Sequence, residues 1–315
     1  MNRRRTTALQ LCPFSSYLET ALTARFELIR WFEMTGIERQ TWLNQRADTV
    51  RAVVTGGHIG CGRDLMAALP SLGIVAVNGV GADKVDLDFA RIRGVRVTTT
   101  PGIPTEDVAD LAVGLIIGLL REIPHADDFV RAGRWVEGDR PLARKVTGRR
   151  FGIVGLGSIG SAIAARLAAF GPVAYTGPRR KSVHFAFHAE LLELAKASDV
   201  LVLACPANEA TRNLIGPEVL DALGSEGYLV NVARGAVLDE TALIEALEGG
   251  RIAGAALDVF ADEPHVSERL RVHPRVLLTP HIASATVESR RQMADLVLGN
   301  LDAFLNGGTL ATPVA

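Results

Sequence analysis

Short apolar runs alternate with longer stretches of helical periodicity along most of the chain. This alternation is typical of β-α units stacked around a parallel sheet. It forms two successive series, so we expect two similar α/β halves. The predicted strands of the first series are Ala8–Leu11, Phe26–Trp31, Val50–Thr55, Ile74–Val77 and Val95–Thr98. Those of the second series are Arg150–Gly155, Val173–Thr176, Asp199–Cys205, Tyr228–Val232, Ala253–Val259 and Val276–Thr279.

Three helices are predicted between and after these strands. One begins at Thr105, which two acidic residues follow, and runs through about Leu120. A second covers Ile159–Phe170, and an amphipathic helix extends from Ser284 to about Leu305. The cluster Pro101–Pro104 indicates a crossover between domains. The repeated pattern alone, in contrast, places the domain boundary near residue 145.

Composition narrows the class of protein. The length of 315 residues is consistent with about two domains, and 48% hydrophobic with 22% charged residues is typical of a packed globular protein. The 34 basic and 35 acidic residues give a net charge of −1, so no nucleic-acid partner is expected. The longest apolar run, Leu111–Leu120, is shorter than the about 18 residues of a membrane span, so no membrane partner is expected.

The cysteines and most histidines suggest no special chemistry. Cys12, Cys61 and Cys205 are odd in number and far apart, which favours neither a disulfide framework nor a zinc site. We therefore expect a reducing, cytoplasmic compartment. No pair of histidines has metal-ligand spacing together with a further ligand, so no metal is predicted.

A glycine-rich turn follows the first strand of the second series. Gly155, Gly157 and Gly160 form the pattern G-x-G-x-x-G between an apolar strand and an alanine-rich helix. The first glycine permits a tight turn, the second lets the backbone approach a pyrophosphate, and the third lets helix and strand pack closely. The helix N-terminus offers N–H groups to the phosphates. We interpret the turn as a dinucleotide site; the alternative is a tight turn without a ligand.

Ionisable side chains follow three later strands of the same series. Arg234 follows one strand, the acidic segment Asp258–Glu263 follows the next, and His281 lies between the last strand and the last helix. In an open α/β sheet the carboxyl ends of the strands line the ligand crevice. Each residue alone could be a surface charge or a helix cap, but three different ionisable groups at one edge indicate an active site.

These motifs carry a family resemblance over nearly the whole chain. The chain resembles the D-isomer-specific 2-hydroxyacid dehydrogenases, and within them most closely the bacterial glyoxylate/hydroxypyruvate reductases. The matching segments are Gly155–Gly160, Asn231–Gly235, Asp258–Pro264, Pro280–Ser284 and the upstream loop Asn78–Leu87.

The resemblance implies a fold and an assembly. It implies two Rossmann-like doubly wound domains: a flavodoxin-like substrate domain and an NAD(P)-binding domain, with a cleft between them. The substrate domain would cover residues 1–100, with 284–315 returning to it, and the dinucleotide domain 101–283. It also implies a homodimer through the cofactor domains, with the helix Leu111–Leu120 in the contact. A helix buried inside one chain would show the same apolar pattern.

The resemblance also assigns chemistry to the three ionisable groups. Arg234 would bind the substrate carboxylate and polarise the carbonyl, because guanidinium forms paired hydrogen bonds with planar anions. His281 would protonate the developing alkoxide, since histidine titrates near neutral pH. Glu263, paired with His281, would favour the imidazolium and orient the ring. Backbone N–H groups of the loop formed by Asn78, Gly79, Val80 and Gly81 would bind the substrate carboxylate.

Further cofactor contacts are implied around the glycine turn and the strand ends. Besides the three glycines, they come from Leu156, Ser158, Ile159, Thr176, Arg179, Arg180, Cys205, Pro206, Thr211, Val232, Ala233 and Ala283. Asp258 would contact the nicotinamide end; the alternative is a capping carboxylate. Trp135 is interpreted as a packing residue, with contact to a partner subunit's substrate pocket as the alternative.

The end of the second strand of this series departs from the NAD pattern. An NAD site normally has an acidic residue about 20 positions after the glycines, but Thr176 stands there, and Arg179, Arg180 and Lys181 follow. Arginine would bind a 2′-phosphate that a carboxylate would repel. We therefore predict that NADP(H) is preferred by roughly 10- to 100-fold, with NAD(H) possible and with Arg179 and Arg180 ahead of Lys181. The alternative is a solvated loop that points elsewhere.

The functional hypothesis is the reduction of a small 2-oxo acid, with glyoxylate and hydroxypyruvate as leading candidates, to the D-2-hydroxy acid by hydride transfer from NADPH. One alternative is an enzyme like phosphoglycerate dehydrogenase. Another, from a different class, is a dinucleotide-sensing corepressor or scaffold.

Overall fold

The computed structural model describes residues 5–314, which divide into two compact units. One unit runs up to Pro104 and resumes at Thr286, and the other is Thr105–Ala285. The boundary near residue 145 that the repeated pattern predicts is therefore wrong. The helix that begins at Thr105 packs on the sheet of the second unit, which explains why the division precedes it.

The first unit contains a five-stranded parallel sheet. Its strands are β1 (Thr7–Gln10), β2 (Glu27–Arg30), β3 (Val50–Gly56), β4 (Ile74–Asn78) and β5 (Arg96–Thr98). The strand order is β2-β1-β3-β4-β5, which is the flavodoxin-like order. The helices between these strands are α1 (Ser16–Arg25), α2 (Gly36–Arg46), α3 (Arg63–Ala67) and α4 (Leu87–Arg93).

The second unit contains a seven-stranded parallel sheet. Its strands are β6 (Phe151–Val154), β7 (Val173–Thr176), β8 (Ala186–Phe187), β9 (Val200–Leu203), β10 (Tyr228–Asn231), β11 (Gly254–Leu257) and β12 (Val276–Leu278). The order is β12-β11-β10-β9-β6-β7-β8, so the direction of winding reverses between β6 and β9. The helices of this unit are α5 (Thr105–Leu120), α6 (Ile123–Arg131), α7 (Ser158–Leu167), α8 (Leu191–Lys196), α9 (Pro217–Leu223), α10 (Glu240–Glu248) and α11 (Glu268–Arg271).

The apolar side of α5 is covered within its own unit. Val108, Ala112, Leu115, Ile116 and Leu119 are buried, and the helix packs against α7 and against β10, β11 and β12. The apolar pattern of this helix is thus explained by burial inside one chain. It gives no independent argument for a partner surface.

The last helix, α12 (Val287–Leu305), completes the first unit. It begins three residues later than predicted, because the Thr286 side chain accepts the N–H of Ser289 and caps it. Its buried residues Ala294, Val297 and Leu301 face the apolar core below β4.

The segment after α12 closes the edge of the same sheet. The N–H of Val314 donates to the carbonyl of Val97 in β5 at 2.8 Å. Asn300 is buried in α12, and its side-chain oxygen accepts the N–H groups of Ala311 and Thr312. The chain after residue 285 is therefore an integral part of the first sheet.

The two predicted α/β halves are confirmed, and each predicted strand is present within two residues at either end. Strand β8 was not predicted, because two residues are too short to show alternation. The predicted helix Ile159–Phe170 begins one residue earlier and ends at Leu167. Among the described residues, none of the helices is both long and apolar enough to span a bilayer.

Candidate active site

The predicted site residues of the second unit lie at the carboxyl edge of its sheet. The glycine turn follows β6, Thr176 ends β7, and Arg234, Asp258 and His281 follow β10, β11 and β12. The reversal of winding beside β6 is a topological switch point, where ligands bind in open α/β sheets. At about 4.8 Å per strand, the five spacings from β7 to β12 extend over about 24 Å. An extended dinucleotide fits along such an edge.

Each of the three positions in the turn is occupied by glycine for a different structural reason. Gly155 has a φ of +94°, and a Cβ there would lie 2.7 Å from Cα of Cys205. A Cβ on Gly160 would overlap the carbonyl oxygen of Gly155. A Cβ on Gly157 would meet no atom within 4 Å. The first and third glycines are thus needed by the fold, whereas the second opens onto space that a ligand can enter.

The start of α7 faces the same space. Gly157 is its N-cap residue and provides no side chain that could cap the first turn. The first N–H groups of a helix have no partner within that helix, and they carry its positive dipole end. Ser158 is exposed, Ile159 is half-buried, and Leu156 is buried beneath the turn. The turn therefore fits a pyrophosphate.

The loop after β9 lies beside this turn. Cys205 is buried with its backbone against Gly155. The Thr211 hydroxyl donates to the carbonyl of Pro206 at 2.8 Å and accepts the N–H of Asn208 at 2.8 Å, which closes the loop. Of the three predicted contacts, Cys205 is thus at the turn, and Pro206 and Thr211 shape the loop that follows.

The turn that carries Arg234 is stabilised by hydrogen bonds between residues of the turn itself. The Asn231 side chain, fully buried at the end of β10, accepts the N–H of Ala233 at 3.0 Å and donates to the carbonyl of Arg234 at 3.1 Å. Val232 and Ala233 are buried, and the half-buried Arg234 donates from Nη1 to the carbonyl of Ala233 at 2.7 Å. These bonds fix the backbone from which the guanidinium extends.

The side chains of Glu263 and His281 are hydrogen-bonded to each other beyond the ends of two neighbouring strands. Nδ1 of His281 lies 2.7 Å from Oε2 of Glu263, and Oε1 of Glu263 accepts the N–H of Phe260 at 3.0 Å. The side chains are 23% and 32% exposed for glutamate and histidine, respectively. Both oxygens of the glutamate are engaged, so the carboxylate orients the imidazole ring.

Asp258 holds the turn on which His281 lies. Its carboxylate is completely buried and accepts the Thr279 hydroxyl at 2.6 Å and the N–H groups of Ile282 and Ala283 at 2.9 and 3.0 Å. His281 itself has a φ of +52°, a conformation that costs a non-glycine residue of the order of 1–3 kcal/mol. The contacts favour the capping interpretation of Asp258.

The cationic loop after β7 is folded back toward the glycine turn. The buried Tyr175 hydroxyl accepts the backbone N–H of Lys181 at 2.7 Å, and Nζ of Lys181 donates to the carbonyl of Leu156. Arg179 and Arg180 are exposed, and Thr176 is buried. The prediction ranks Lys181 third, but its side chain makes the direct contact with the turn. The buried tyrosine was not recognised, because it resembles any core aromatic residue in the sequence.

The predicted substrate loop belongs to the first unit. Asn78 ends β4 with its side chain 7% exposed, and no described residue makes a hydrogen bond with its Oδ1. The carbonyl of Gly79 accepts the N–H of Thr100 at 2.8 Å, Val80 is exposed, and Gly81 is half-buried with its carbonyl oxygen beside Gly57.

Two further residues differ from expectation. Trp135 is 64% exposed, so the interpretation as a packing residue within this chain is wrong. Glu240, which belongs to no recognised motif, accepts the N–H of Ala261 in the loop that leads to Glu263. Glu240 and Ala261 are 21 positions apart, which conceals this contact in the sequence. In the part of the chain that the structure describes, no group of three or more His, Cys, Asp or Glu side chains could hold a metal ion.

Comparison with known families agrees with this geometry. The family model described as D-isomer specific 2-hydroxyacid dehydrogenase, NAD binding domain, matches residues 113–283, which include the glycine turn, Arg234, Glu263 and His281. The chain belongs to this family. It is therefore an oxidoreductase with a nicotinamide dinucleotide site in its second unit.

Similar proteins extend the relation to the whole chain. Glyoxylate/hydroxypyruvate reductase A of Arabidopsis thaliana is 47% identical over 308 residues, which are 97% of this chain and 98% of that protein. Hydroxyphenylpyruvate reductase of Plectranthus scutellarioides is also 47% identical, with the same coverage. The structure of NADPH-dependent glyoxylate/hydroxypyruvate reductase from Sinorhizobium meliloti, in complex with NADP and malonate, has a TM-score of 0.92 and 42% identity, covering 99% of this chain and 97% of that chain.

The different environments of Gly157 and Gly160 generate a paired prediction. Gly157→Ala leaves the melting temperature close to that of the parent but weakens dinucleotide binding at least about 10-fold, because the new methyl group enters the ligand space. Gly160→Ala lowers the free energy of unfolding by about 1–3 kcal/mol, because it overlaps the backbone. Cofactor titration by fluorescence and thermal unfolding measure the two effects. Parent-like cofactor affinity in Gly157→Ala would exclude this turn as the binding site.

Proposed function

We propose that the protein reduces a small 2-oxo acid to the D-2-hydroxy acid with NADPH, with glyoxylate and hydroxypyruvate as the leading substrates. The observation that supports this most directly is the Glu263–His281 pair, which lies at the strand edge that also carries Arg234 and the glycine turn. The names of the relatives include both small and aromatic 2-oxo acids. The substrate side chain is therefore what the experiment must decide.

Arg234 is proposed to bind the substrate and stabilise negative charge. A guanidinium remains charged at all physiological pH values and forms paired hydrogen bonds with a carboxylate. As hydride adds to the carbonyl carbon, charge develops on the carbonyl oxygen, and a fixed cation stabilises it. The bonds that Asn231 makes around this turn keep the backbone of Arg234 in place during that change.

His281 is proposed to donate the proton. With Nδ1 bound to Glu263, Nε2 is the nitrogen that transfers a proton to the substrate oxygen. A protonated imidazole is the form that a reductase needs as its acid, and the Glu263 carboxylate fixes the orientation of the ring that carries the proton. When bound, the nicotinamide supplies the hydride. The residues of this chain orient the substrate, stabilise charge and deliver the proton.

We propose that one unit binds the cofactor and that the other contributes to binding the substrate. The second unit, with the glycine turn, would bind the dinucleotide, and the first would contribute the loop Asn78–Gly81 to substrate binding. The buried side-chain oxygen of Asn78 supports a polar role for this loop, since buried acceptors normally have a partner. The predicted boundaries at residues 100 and 284 are close to the division at Pro104 and Thr286.

A substrate panel with matched variants tests this function. The parent should oxidise NADPH rapidly with glyoxylate, hydroxypyruvate or a related acid, followed by absorbance at the reduced-nicotinamide band. A phosphorylated 2-oxo acid in the panel tests the alternative hypothesis, which is that the protein is an enzyme like phosphoglycerate dehydrogenase. Tight dinucleotide binding without turnover on any acid would favour a sensing or scaffold role instead.

Variants of the catalytic groups should have distinct kinetic effects. His281→Asn should lower kcat by about 10²- to 10⁴-fold while cofactor binding is retained. Arg234→Ala should raise KM and lower kcat, because the guanidinium acts in both ground and transition states. Glu263→Gln should move the pH dependence of reduction to lower pH. His265→Asn, a histidine in the same region that is exposed, should behave like the parent. Near-normal activity of His281→Asn or Arg234→Ala would refute the assignment.

The preference for NADPH is proposed from the loop after β7. This loop has no acidic residue at positions 176–181, and three cations lie on it. The contacts of Lys181 with Tyr175 and Leu156 hold the loop at the glycine turn rather than away from it. A 2′-phosphate at this place would meet positive charge and no carboxylate of this loop.

Replacing both arginines tests the cofactor preference. Arg179→Ala/Arg180→Ala should reduce kcat/KM with NADPH by about 10- to 100-fold and change kcat/KM with NADH little, because only the 2′-phosphate loses its partners. Lys181→Ala measures separately how much the third cation contributes to the preference for NADPH. Arg271→Ala, an exposed arginine at the end of α11, is the control. Equal use of NADH by the parent, or an unchanged preference in the double variant, would contradict the proposal.

A homodimer is proposed from the segment that follows α5. None of residues 121–145 is buried in this chain, although they include α6 and a 3₁₀ turn at Arg134–Glu137. Several large apolar side chains of this segment are exposed, namely Ile123, Val130, Trp135, Val136 and Leu142, the last two by 93% and 97%. Ordering a segment costs about 1–2 kcal/mol per residue for the backbone alone. A second copy of the chain provides the cover that stabilises it.

Charge placed on this segment should disrupt the assembly. The parent should sediment as a dimer at micromolar concentration, and Val136→Glu/Leu142→Glu should sediment as a monomer, because a buried unpaired carboxylate opposes association. Val272→Glu, an equally apolar position that is 72% exposed at the end of α11, should remain dimeric. A parent that is a monomer at this concentration would overturn the proposal.

A reducing, cytoplasmic compartment is proposed from the thiols. Cys12, Cys61 and Cys205 are buried and free. Burial raises the pKa of Cys12 and Cys205 to about 11 and that of Cys61 to about 12. Such thiols stay protonated and form no disulfides, which is typical of proteins in reducing compartments.

A further inference from the structure

Glu240 is the first residue of α10, and its side chain turns toward the loop that precedes Glu263. The half-buried carboxylate accepts the N–H of Ala261 through Oε1 at 2.5 Å. The preceding residue, Asp239, caps the helix by accepting the N–H of Ala242. Helix capping is therefore done by Asp239, and Glu240 is available for a contact outside its own helix.

A second carboxylate, that of Glu263, accepts a hydrogen bond from the adjacent residue of the same loop. The N–H of Phe260 donates to Oε1 of Glu263, next to the N–H of Ala261 that donates to Glu240. Through its other oxygen, Glu263 contacts Nδ1 of His281. Two glutamates thus fix consecutive peptide groups of one loop, and one of them orients the histidine.

The same loop also contacts the turn of Arg234. A Cβ on Gly235 would overlap the carbonyl group of Phe260 and the nitrogen of Ala261. The backbone after Arg234 therefore packs directly on the peptide group that Glu240 binds. A displacement of this peptide group would change both the Glu263 side and the Arg234 side of the site.

We propose that Glu240 is a positioning residue for the Glu263–His281 pair, which it serves by anchoring the Phe260–Glu263 loop and by placing a second negative charge beside Glu263. The inference rests on the proposed catalytic roles of Glu263 and His281. It assigns a function to a carboxylate that touches neither the histidine nor a substrate.

The electrostatic surroundings of Glu240 are consistent with this role. Burial raises the pKa of the Glu240 carboxyl, the N–H of Ala261 opposes this shift, and the negative charges of Glu263 and Asp262 raise the pKa further. The other ionisable groups on the elements packed here are Asp239 on the same turn, His265 beside Asp262, Arg234 before Gly235, and His281 beyond Glu263.

Two substitutions separate the hydrogen bond from the charge. Glu240→Gln retains an oxygen that can accept the N–H of Ala261 but removes the charge. Glu240→Ala removes both. For each variant we would measure kcat and KM for the 2-oxo acid over a range of pH, the affinity for NADPH, and the melting temperature.

The proposal predicts different results for the two variants. Glu240→Ala should lower kcat about 10-fold or more while the affinity for NADPH is retained, because a loosened loop misplaces the acid. Glu240→Gln should recover kcat to within about 3-fold of the parent at low pH. Its pH profile should move to lower pH relative to the parent, because the second negative charge beside Glu263 is lost.

Controls distinguish this inference from its alternatives. Glu248→Gln makes the same change at the last residue of α10, which pairs with Arg269, and should leave the pH profile unchanged. If both Glu240 variants match the parent in kcat and pH profile while His281→Asn is inactive, the positioning role is refuted and the proposed function stands. If His281→Asn is active, the proposed function itself fails. Equal losses of kcat, NADPH affinity and melting temperature in both Glu240 variants would indicate a purely structural residue and overturn the proposal.

Discussion

The completely buried carboxylate of Asp258 is the contact on which the histidine side of the site depends. A buried charge is stable only if hydrogen bonds replace its hydration, and here the Thr279 hydroxyl and two backbone N–H groups do so. Those N–H groups belong to the residues directly after His281. The same bonds that replace the hydration of the carboxylate thus hold the turn in which His281 has its left-handed backbone conformation. The hydrogen bonds of Asp258 therefore both stabilise its buried carboxylate and position His281.

The arginine and glutamate sides of the site are joined by close packing of their backbones. Gly235 allows the turn after β10 to touch the loop after β11, so Arg234 and Glu263 extend from backbones that pack on each other. Glu240 binds this junction from α10. Close packing makes such a junction resistant to small displacements. The groups that would stabilise charge and deliver the proton therefore keep their mutual placement.

The sequence predicted what depends on local pattern. The glycine turn, Arg234 and His281 each follow an apolar strand directly, so topology alone brings them to one edge. The pairing of Glu263 with His281 came from the resemblance, because the two residues are 18 positions apart and no periodicity links them. Glu240 was missed for a similar reason. The apolar residues of α5 and Trp135 show a further limit: apolarity indicates that a side chain favours burial, but not which surface covers it.

The return of the chain to the first unit has a consequence for how the protein forms during synthesis. Domains generally fold as they leave the ribosome, the N-terminal one first. Here the first sheet needs α12 beneath β4 and the backbone of Val314 beside β5, and both are translated after the whole of Thr105–Ala285. The second unit is continuous in sequence and can fold while the first still lacks its last helix. The unit that begins the chain is thus the one that is completed last, and until then its apolar core below β4 needs protection from aggregation.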